Sequence, residues 1–295
     1  MKNLIKPLAI VSVLLFSCNN NKADNNTKPK QDGIITNTSA NSGKKDTTVP
    51  PSGPIADATT ILARKEVPIL CYHHIKPQST NEYTVTTDNF KAQLKVLHDS
   101  GYHSILPDQL YAYLTTGAPL PEKPFMLTYD DTDEEQFSIA KPEMDKYGFK
   151  GVYFIMTISI GRPRYMTKEQ IKQLADEGHT IGAHTWRHDR VDKYLTTPHI
   201  DRDTKKIVNN DWDLQLVDTR KKLEEICGKP IHYFAYPFGV WTKMGIPEIR
   251  KRGIKMAFQL STKRDPDEPL YTVRRIIIPS ISATSLLKSM HNNFH

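Results

Sequence analysis

Three cysteines in 295 residues leave no disulfide framework to hold this chain together. Glycine is scarce (14) and proline ordinary (20), which excludes a collagen-like or low-complexity polymer. No apolar stretch approaches the roughly 20 residues needed to span a bilayer. Charge of one sign is nowhere concentrated. The 40 Lys and Arg exceed 33 Asp and Glu by seven, without the basic block that marks a nucleic-acid arm, so no nucleic-acid partner is expected. What remains is a 38% hydrophobic composition with 10 Phe, 3 Trp and 13 Tyr, enough for a folded core. At about 100 to 200 residues per domain, the length allows one large domain or two small ones.

The first 17 residues read as a secretory signal. Lys2 and Lys6 precede the apolar run Leu8 to Phe16, too short for a permanent span, and Asn19-Asn20-Asn21-Lys22 follow at once. The ending Leu15-Phe16-Ser17-Cys18 resembles a bacterial lipobox, in which Cys18 is acylated. An exported protein, lipid-anchored to the bacterial cell envelope through Cys18, is the expectation; an ordinary cleaved signal with an incidental Cys18 is the alternative. Residues 18–64, rich in Asn, Thr, Ser, Lys and Pro, cannot bury enough apolar surface to offset their ordering entropy and read as a flexible stalk. Cys71 and Cys227 could pair, but buried free thiols are expected.

Residues 65–295 alternate strand and helix patterns. Strands are expected at Val67 to Tyr72, Phe125 to Tyr129, Gly151 to Thr157, Thr180 to Ala183, His232 to Tyr236, Lys255 to Gln259 and Thr272 to Ile278. Between them run helical patterns: Asp88 to Ser100, Glu134 to Tyr147, Thr167 to Gly178 with a Thr167/Gln170 capping box, about Asp213 to Cys227, Met244 to Arg252, and a last helix near Thr284 to Met290. Continuous apolar strands joined by helices predict a parallel sheet covered on both faces, closed as a barrel, with reactive groups just past strand C-termini.

Three motifs fall at such ends. Asp130-Asp131 closes one strand: one carboxylate could bind a metal while its neighbour faces the reacting water, although such a pair also serves as a helix N-cap. His184 and His188 follow another, and i,i+4 spacing would put both imidazoles on one face of a helical turn; a surface pair or a core histidine is the plainer alternative. Two His and one carboxylate leave positions open for water and substrate, as in catalytic metal centres. The third, Tyr233-Phe234-Ala235-Tyr236-Pro237-Phe238-Gly239, offers a proline-fixed loop, a glycine permitting close backbone approach and rings suited to sugar faces, or simply core aromatics.

In this order the motifs resemble the polysaccharide deacetylase (NodB homology) family, carbohydrate esterase family 4, over about Val67 to Ile278. The resemblance implies an α/β fold, a distorted (β/α)7 barrel, with Asp131, His184 and His188 holding a divalent metal, usually zinc, and Asp130 as general base. Pro237 and Tyr236 would line the substrate with the Phe238 backbone N–H at the oxyanion, and Arg275 would support Asp130, or else form a barrel-end salt bridge, while Arg274 points to the opposite face. Within the family, Val67-Pro-Ile-Leu-Cys-Tyr-His-His-Ile75 is most similar to the exported poly-β-1,6-N-acetylglucosamine N-deacetylases, whose acid corresponds to His73. The usual C-terminal Leu-His acid has no convincing copy, since His291 sits in a polar tail. Thr132 stands where a Gly is common, and Ala235 where many members carry an Arg. The implied activity is metal-dependent N-deacetylation of an N-acetylglucosamine polysaccharide by a monomer without a second hydrolase domain. Peptidoglycan, chitin oligomers, acetylated xylan or a cyclic amide are alternative substrates, and a catalytically silent carbohydrate-binding module is the rival class.

Overall fold

A computed structural model describes residues 55–79, 81–260 and 263–294. The expected signal segment, Cys18 and the stalk as far as residue 54 lie outside the described residues. The chain enters through helix α1 (Ala58–Ala63), capped by the Asp57 carboxylate, which accepts from the Thr60 N–H at 2.7 Å. There follow β1 (Ile69–Tyr72), the short pair β2 (His74–Lys76) and β3 (Thr84–Thr86), α2 (Thr87–Asp99), β4 (His103–Ser104) and α3 (Pro107–Thr116). Next come β5 (Pro124–Tyr129), α4 (Lys141–Asp145), β6 (Gly151–Ile155), α5 (Lys168–Asp176) and β7 (Thr180–Ala183). The antiparallel hairpin β8 (His199–Ile200) and β9 (Ile207–Val208) precedes α6 (Thr219–Cys227), β10 (Tyr233–Ala235), α7 (Gly245–Lys251), β11 (Met256–Phe258), β12 (Ile276–Ile277) and α8 (Ala283–Phe294).

The main sheet runs β11-β10-β7-β6-β5-β1-β12, every pair parallel. Its curl is completed by a single segment. Val273 bridges Phe258 at the β11 edge, exchanging bonds with the Gln259 N–H (2.9 Å) and the Ala257 carbonyl (3.0 Å), while Ile276 and Ile277 pair with Leu70 and Cys71 of β1. The strand expected over Thr272 to Ile278 is therefore short, because its two ends bond different neighbours across the gap. This is the distorted (β/α)7 arrangement expected from the resemblance.

Alternation along the strands divides the core. Leu70, Tyr72, Leu127, Tyr129, Tyr153 and Ile155 pack outward with Phe90 and Leu94 of α2, Leu174 of α5 and Leu223 of α6. Ile69, Met126, Val152, Phe154, Tyr233 and Met256 form the second cluster, plugged by Ile61 of α1 and by Leu110 and Leu114 of α3. On this inner face, Thr128, Asp130 and Arg275 continue towards the strand C-termini.

Two expected helices change pitch. Residues Gln136–Ala140 and Asp213–Asp218 wind as π-helical turns before α4 and α6 begin, and such turns collect at functional sites. The Thr167/Gln170 capping box is present, with reciprocal bonds of 3.2 and 2.8 Å. Cys71 and Cys227 are buried free thiols. His291 lies exposed on α8. Among the described residues no helix is long and apolar enough to cross a membrane.

Candidate active site

The parallel sheet gathers the motif residues at one end. Asp130 and Asp131 leave β5, His184 leaves β7, Tyr236 to Gly239 leave β10, and His73 leaves β1. Asp131 Oδ1 lies 3.4 Å from His184 Nε2 and 3.4 Å from His188 Nε2, and it is a buried oxygen without a hydrogen-bond donor. His184 Nδ1 stands 2.9 Å from the Ala235 carbonyl, which accepts only from a protonated nitrogen and so leaves the Nε2 lone pair directed at Asp131. One orphaned carboxylate oxygen and two imidazole nitrogens, all within 4.8 Å of one another, form a donor set suited to a divalent cation.

The electrostatics favour the protonation states such a set needs at Asp131 and His188 and oppose them at His184. Burial would raise the Asp131 carboxyl, but the nearness of His184, His73 and His188 outweighs it and holds it well below the usual range. Burial and His184 together bring His188 down to about 4. At His184 burial pulls down, yet Asp130 and Asp131 reverse the sign and the net shift is upward.

Asp130 has a different environment. Arg275, fully buried, grips it through both oxygens at 2.7 and 2.8 Å, and also donates to the Thr128 hydroxyl and the Gln259 carbonyl. Despite burial, Arg275 and His184 hold Asp130 below its ordinary pKa. Its Oδ2 also lies 3.7 Å from Cys71 Sγ, 4.0 Å from His73 Nε2 and 3.9 Å from His184 Nε2. Arg274 faces away and pairs with Glu66 at 2.8 Å. Desolvation keeps His73 below the usual imidazole range against the pull of Asp130.

Strain concentrates here. Of eight non-glycine residues with left-handed backbone among the described residues, five are Asp131, Thr132, Thr185, His188 and Phe238, each costing about 1–3 kcal/mol. His184 to His188 is accordingly a strained turn, with Thr185 at φ +68° and His188 at φ +64°, rather than the helical turn that i,i+4 spacing predicts. Thr132 adopts the glycine-like φ of +75° because its hydroxyl accepts the Met156 N–H at 2.8 Å. Two glutamines absent from the sequence reading hold the loops. Gln136 donates to the His73 carbonyl at 3.0 Å and to the Asp130 carbonyl, and Gln215 accepts from the N–H groups of Trp186 (2.9 Å) and Arg187 (3.3 Å). Both lie in the π-helical turns, fully buried. A glutamine within a helix carries no distinguishing sequence signal.

The third motif divides. Tyr236 and Pro237 are buried, and the Tyr236 hydroxyl donates to the Tyr271 carbonyl at 3.0 Å, so this ring is core. Phe238 is 61% exposed, its ring 4.5 Å from that of His188. Gly239 permits a close approach to the chain itself: a Cβ there would stand 2.8 Å from the Leu260 nitrogen. A concavity of about 360 Å³ lined by His179, Cys227 and Tyr233 lies at the N-terminal ends of β7 and β10, away from these groups.

Residues 117–257 match the polysaccharide deacetylase family. The chain carries a polysaccharide deacetylase domain. Its enzyme class is that of a polysaccharide N-deacetylase hydrolase, and the family is metal-dependent. Similar proteins include a polysaccharide deacetylase of Bacillus subtilis (strain 168) named YxkH, 27% identical over 226 residues, covering 75% of this chain and 74% of that one. A poly-β-1,6-N-acetyl-D-glucosamine N-deacetylase of Staphylococcus aureus is 24% identical over 240 residues, covering 76% and 77%. Among solved structures, IcaB from Ammonifex degensii superposes with a TM-score of 0.62 at 26% identity, over 77% of this chain and 97% of that one. The Streptococcus pyogenes deacetylase PplD, in complex with acetate, superposes at 0.64 with 23% identity over 76% and 98%.

Proposed function

We propose that this deacetylase removes N-acetyl groups from an envelope or extracellular N-acetylglucosamine polymer, poly-β-1,6-N-acetylglucosamine before others, as an exported monomer tethered by a lipid on Cys18. The observation that carries the reading is the meeting of two unlike carboxylates: Asp130 pinned by Arg275, and Asp131 facing His184 and His188 with an unpartnered oxygen. The β-1,6 polymer is favoured because His73 stands beside Asp130 and because a relative over three quarters of the chain is named for that substrate.

An acetamide is a poor electrophile, so water must be activated, charge on the carbonyl oxygen stabilised and the departing amine protonated. A divalent cation, zinc in this reading, held by Asp131, His184 and His188 supplies Lewis acidity and makes water acidic enough to ionise near neutral pH. Asp130 accepts the proton of the attacking water, its carboxylate kept ionised and oriented by Arg275. His73 rests uncharged, so it donates only after collecting a proton, and Asp130 Oδ2, 4.0 Å from its Nε2, is where one arrives. The developing oxyanion is met by the N–H of Phe238, whose left-handed backbone sets the direction of that bond.

The test is acetate release by the full chain from β-1,6- and β-1,4-linked N-acetylglucosamine oligomers, metal-loaded and metal-stripped. Metal-dependent release from the β-1,6 series is expected; preference for β-1,4 moves the substrate to chitin or peptidoglycan, and no release from either sinks the assignment. Asp130→Asn and His73→Ala should each lower turnover about 10²- to 10⁴-fold with the metal still bound, whereas Asp131→Ala should lose the metal. Full activity in Asp130→Asn removes that residue from the base role.

A further inference from the structure

The turn His184 to His188 is held from outside by groups the reaction scheme does not use. Arg187 lies between the two histidines, yet its guanidinium points away from them and is nearly buried, with 8% of its side chain exposed. It donates through Nε to Asp189 at 2.6 Å, through Nη1 to the fully buried Asp201, and through Nη2 to Asp211 at 3.4 Å. Asp201 sits in the hairpin turn between β8 and β9, where its other oxygen accepts the Thr204 N–H (2.7 Å) and hydroxyl (2.8 Å) and the Asp203 N–H (3.1 Å). Asp211 ties the hairpin's far end back, accepting the Leu195 N–H at 2.8 Å and approaching His199 Nε2 at 3.2 Å.

Gln215 grips the same turn from the other side. Its Oε1 accepts the N–H groups of Trp186 and Arg187, and its Nε2 donates to Asp189 Oδ2 at 3.2 Å, the oxygen that Arg187 Nε also reaches. Backbone and side chain of one short turn are thus joined through Asp189 to the segment 189–215. The turn would not hold itself: Thr185 and His188 both have left-handed backbone, which non-glycine residues keep only when their surroundings over-determine it. One internal bond, from the His188 N–H to the Thr185 hydroxyl at 2.8 Å, is the local contribution.

We propose that Arg187 and Gln215, coupled through Asp189, are positioning residues that hold His188 in register with His184 and Asp131, so that the 189–215 segment sets the affinity of the metal centre. The proposal rests on the reading of Asp131, His184 and His188 as metal ligands. The physical ground is preorganisation: a ligand turn that must be ordered at the moment of binding gives up part of its binding free energy, and loss of an outer support typically weakens metal binding about 10- to 100-fold.

The experiment titrates zinc into the metal-stripped full chain against a chromophoric chelator, for the wild type, Asp131→Ala, Arg187→Lys and Gln215→Leu, with the melting temperature of each metal-free protein recorded alongside. Arg187→Lys keeps the charge and loses the fork; Gln215→Leu keeps the bulk and loses both hydrogen-bonding ends. Each should bind zinc at least about tenfold more weakly than the wild type, and the double variant should lose less than the product of the two, because both side chains hold Asp189. Should either variant fail to fold, Asp189→Ala, whose side chain is 29% exposed, tests the same link and should also weaken binding. Folded variants that bind zinc within twofold of the wild type, whatever their melting temperatures, overturn the proposal and leave the ligand assignment standing, provided that Asp131→Ala loses the metal. If Asp131→Ala binds like the wild type, or the wild type binds none, the ligand assignment falls and takes the proposal with it.

Discussion

Arg275 and Asp130 form a buried, doubly hydrogen-bonded pair, and the cost of breaking such a pair comes from the charge left behind rather than from the attraction lost. Arg275→Met should therefore destabilise the fold by about 3–5 kcal/mol at neutral pH, read as a urea midpoint, and less at acid pH where Asp130 can protonate. His179 offers a second residue-scale test. Burial, reinforced by Lys150, brings it down to about 4, against 6.5 for a free imidazole. Between these values the unfolded chain takes up the proton more readily, so this contribution is complete above pH 6.5 and is lost as pH falls towards 4. The loss is on the order of 3 kcal/mol. His179→Asn, which keeps an acceptor for the Gly151 N–H, should show a smaller difference in urea midpoint between pH 7.5 and pH 4.5 than the wild type; an equal difference would discard the assignment. Asp145 and Glu177 approach His179 closely enough to share a cation, but Lys141 already bridges the two carboxylates at 2.7 and 2.6 Å. Moreover, His179 Nδ1 accepts from Gly151 at 3.0 Å, which leaves the proton on Nε2.

At the scale of elements, close approaches between strands and turns shape the catalytic end. A Cβ on Gly182 of β7 would stand 2.5 Å from the Phe154 ring of β6 and 3.1 Å from the Tyr233 carbonyl. Gly182→Ala should therefore destabilise by about 1–3 kcal/mol, measurable by thermal or urea unfolding. Gly239→Ala faces both a positive φ and backbone contact with Leu260, so it should distort the turn that carries Phe238 and lower turnover more than substrate affinity. Much at this level was legible: strand-ending Asp-Asp, His-x-x-x-His and Tyr-Pro-Phe-Gly stand where a parallel sheet places them. Helix α3 and the two π-helical turns were less so. In α3, Tyr111, Tyr113, Thr115 and Thr116 are indifferent helix formers, and only Leu110 and Leu114 mark a buried face. The π-helical turns differ from α-helix by one residue of pitch, which an apolar pattern does not encode.

For the whole molecule, residues 55–64 pack against the core layer of Ile69, Leu110 and Leu114. The Ala56 N–H bonds the Thr115 carbonyl at 2.9 Å, Arg64 Nε bonds the Leu114 carbonyl at 3.1 Å, and Ile61, 3% exposed, joins the core layer beneath the strand N-termini. The last ten residues of the expected stalk, 55–64, are thus part of the fold. Composition could not show this, because a six-residue helix with one buried isoleucine barely alters it. Deleting residues 1–64 should cost, relative to deleting 1–54, at least the burial of one isoleucine, about 1.5–3 kcal/mol. Equal midpoints for the two truncations would show that α1 contributes nothing.

The alternation of strand and helix, the parallel sheet and the residues at its reactive end are all legible along the chain, because apolar periodicity and strand-end motifs are local properties. Tertiary structure alone decided which side chains meet there. Arg275 reaches Asp130 across 145 positions because one segment closes the sheet, Tyr236 turns inward while Phe238 stays exposed, and Gln136 and Gln215 bond backbone groups of distant loops. Such contacts depend on distances that arise only when the sheet curls, and no spacing along the chain records them.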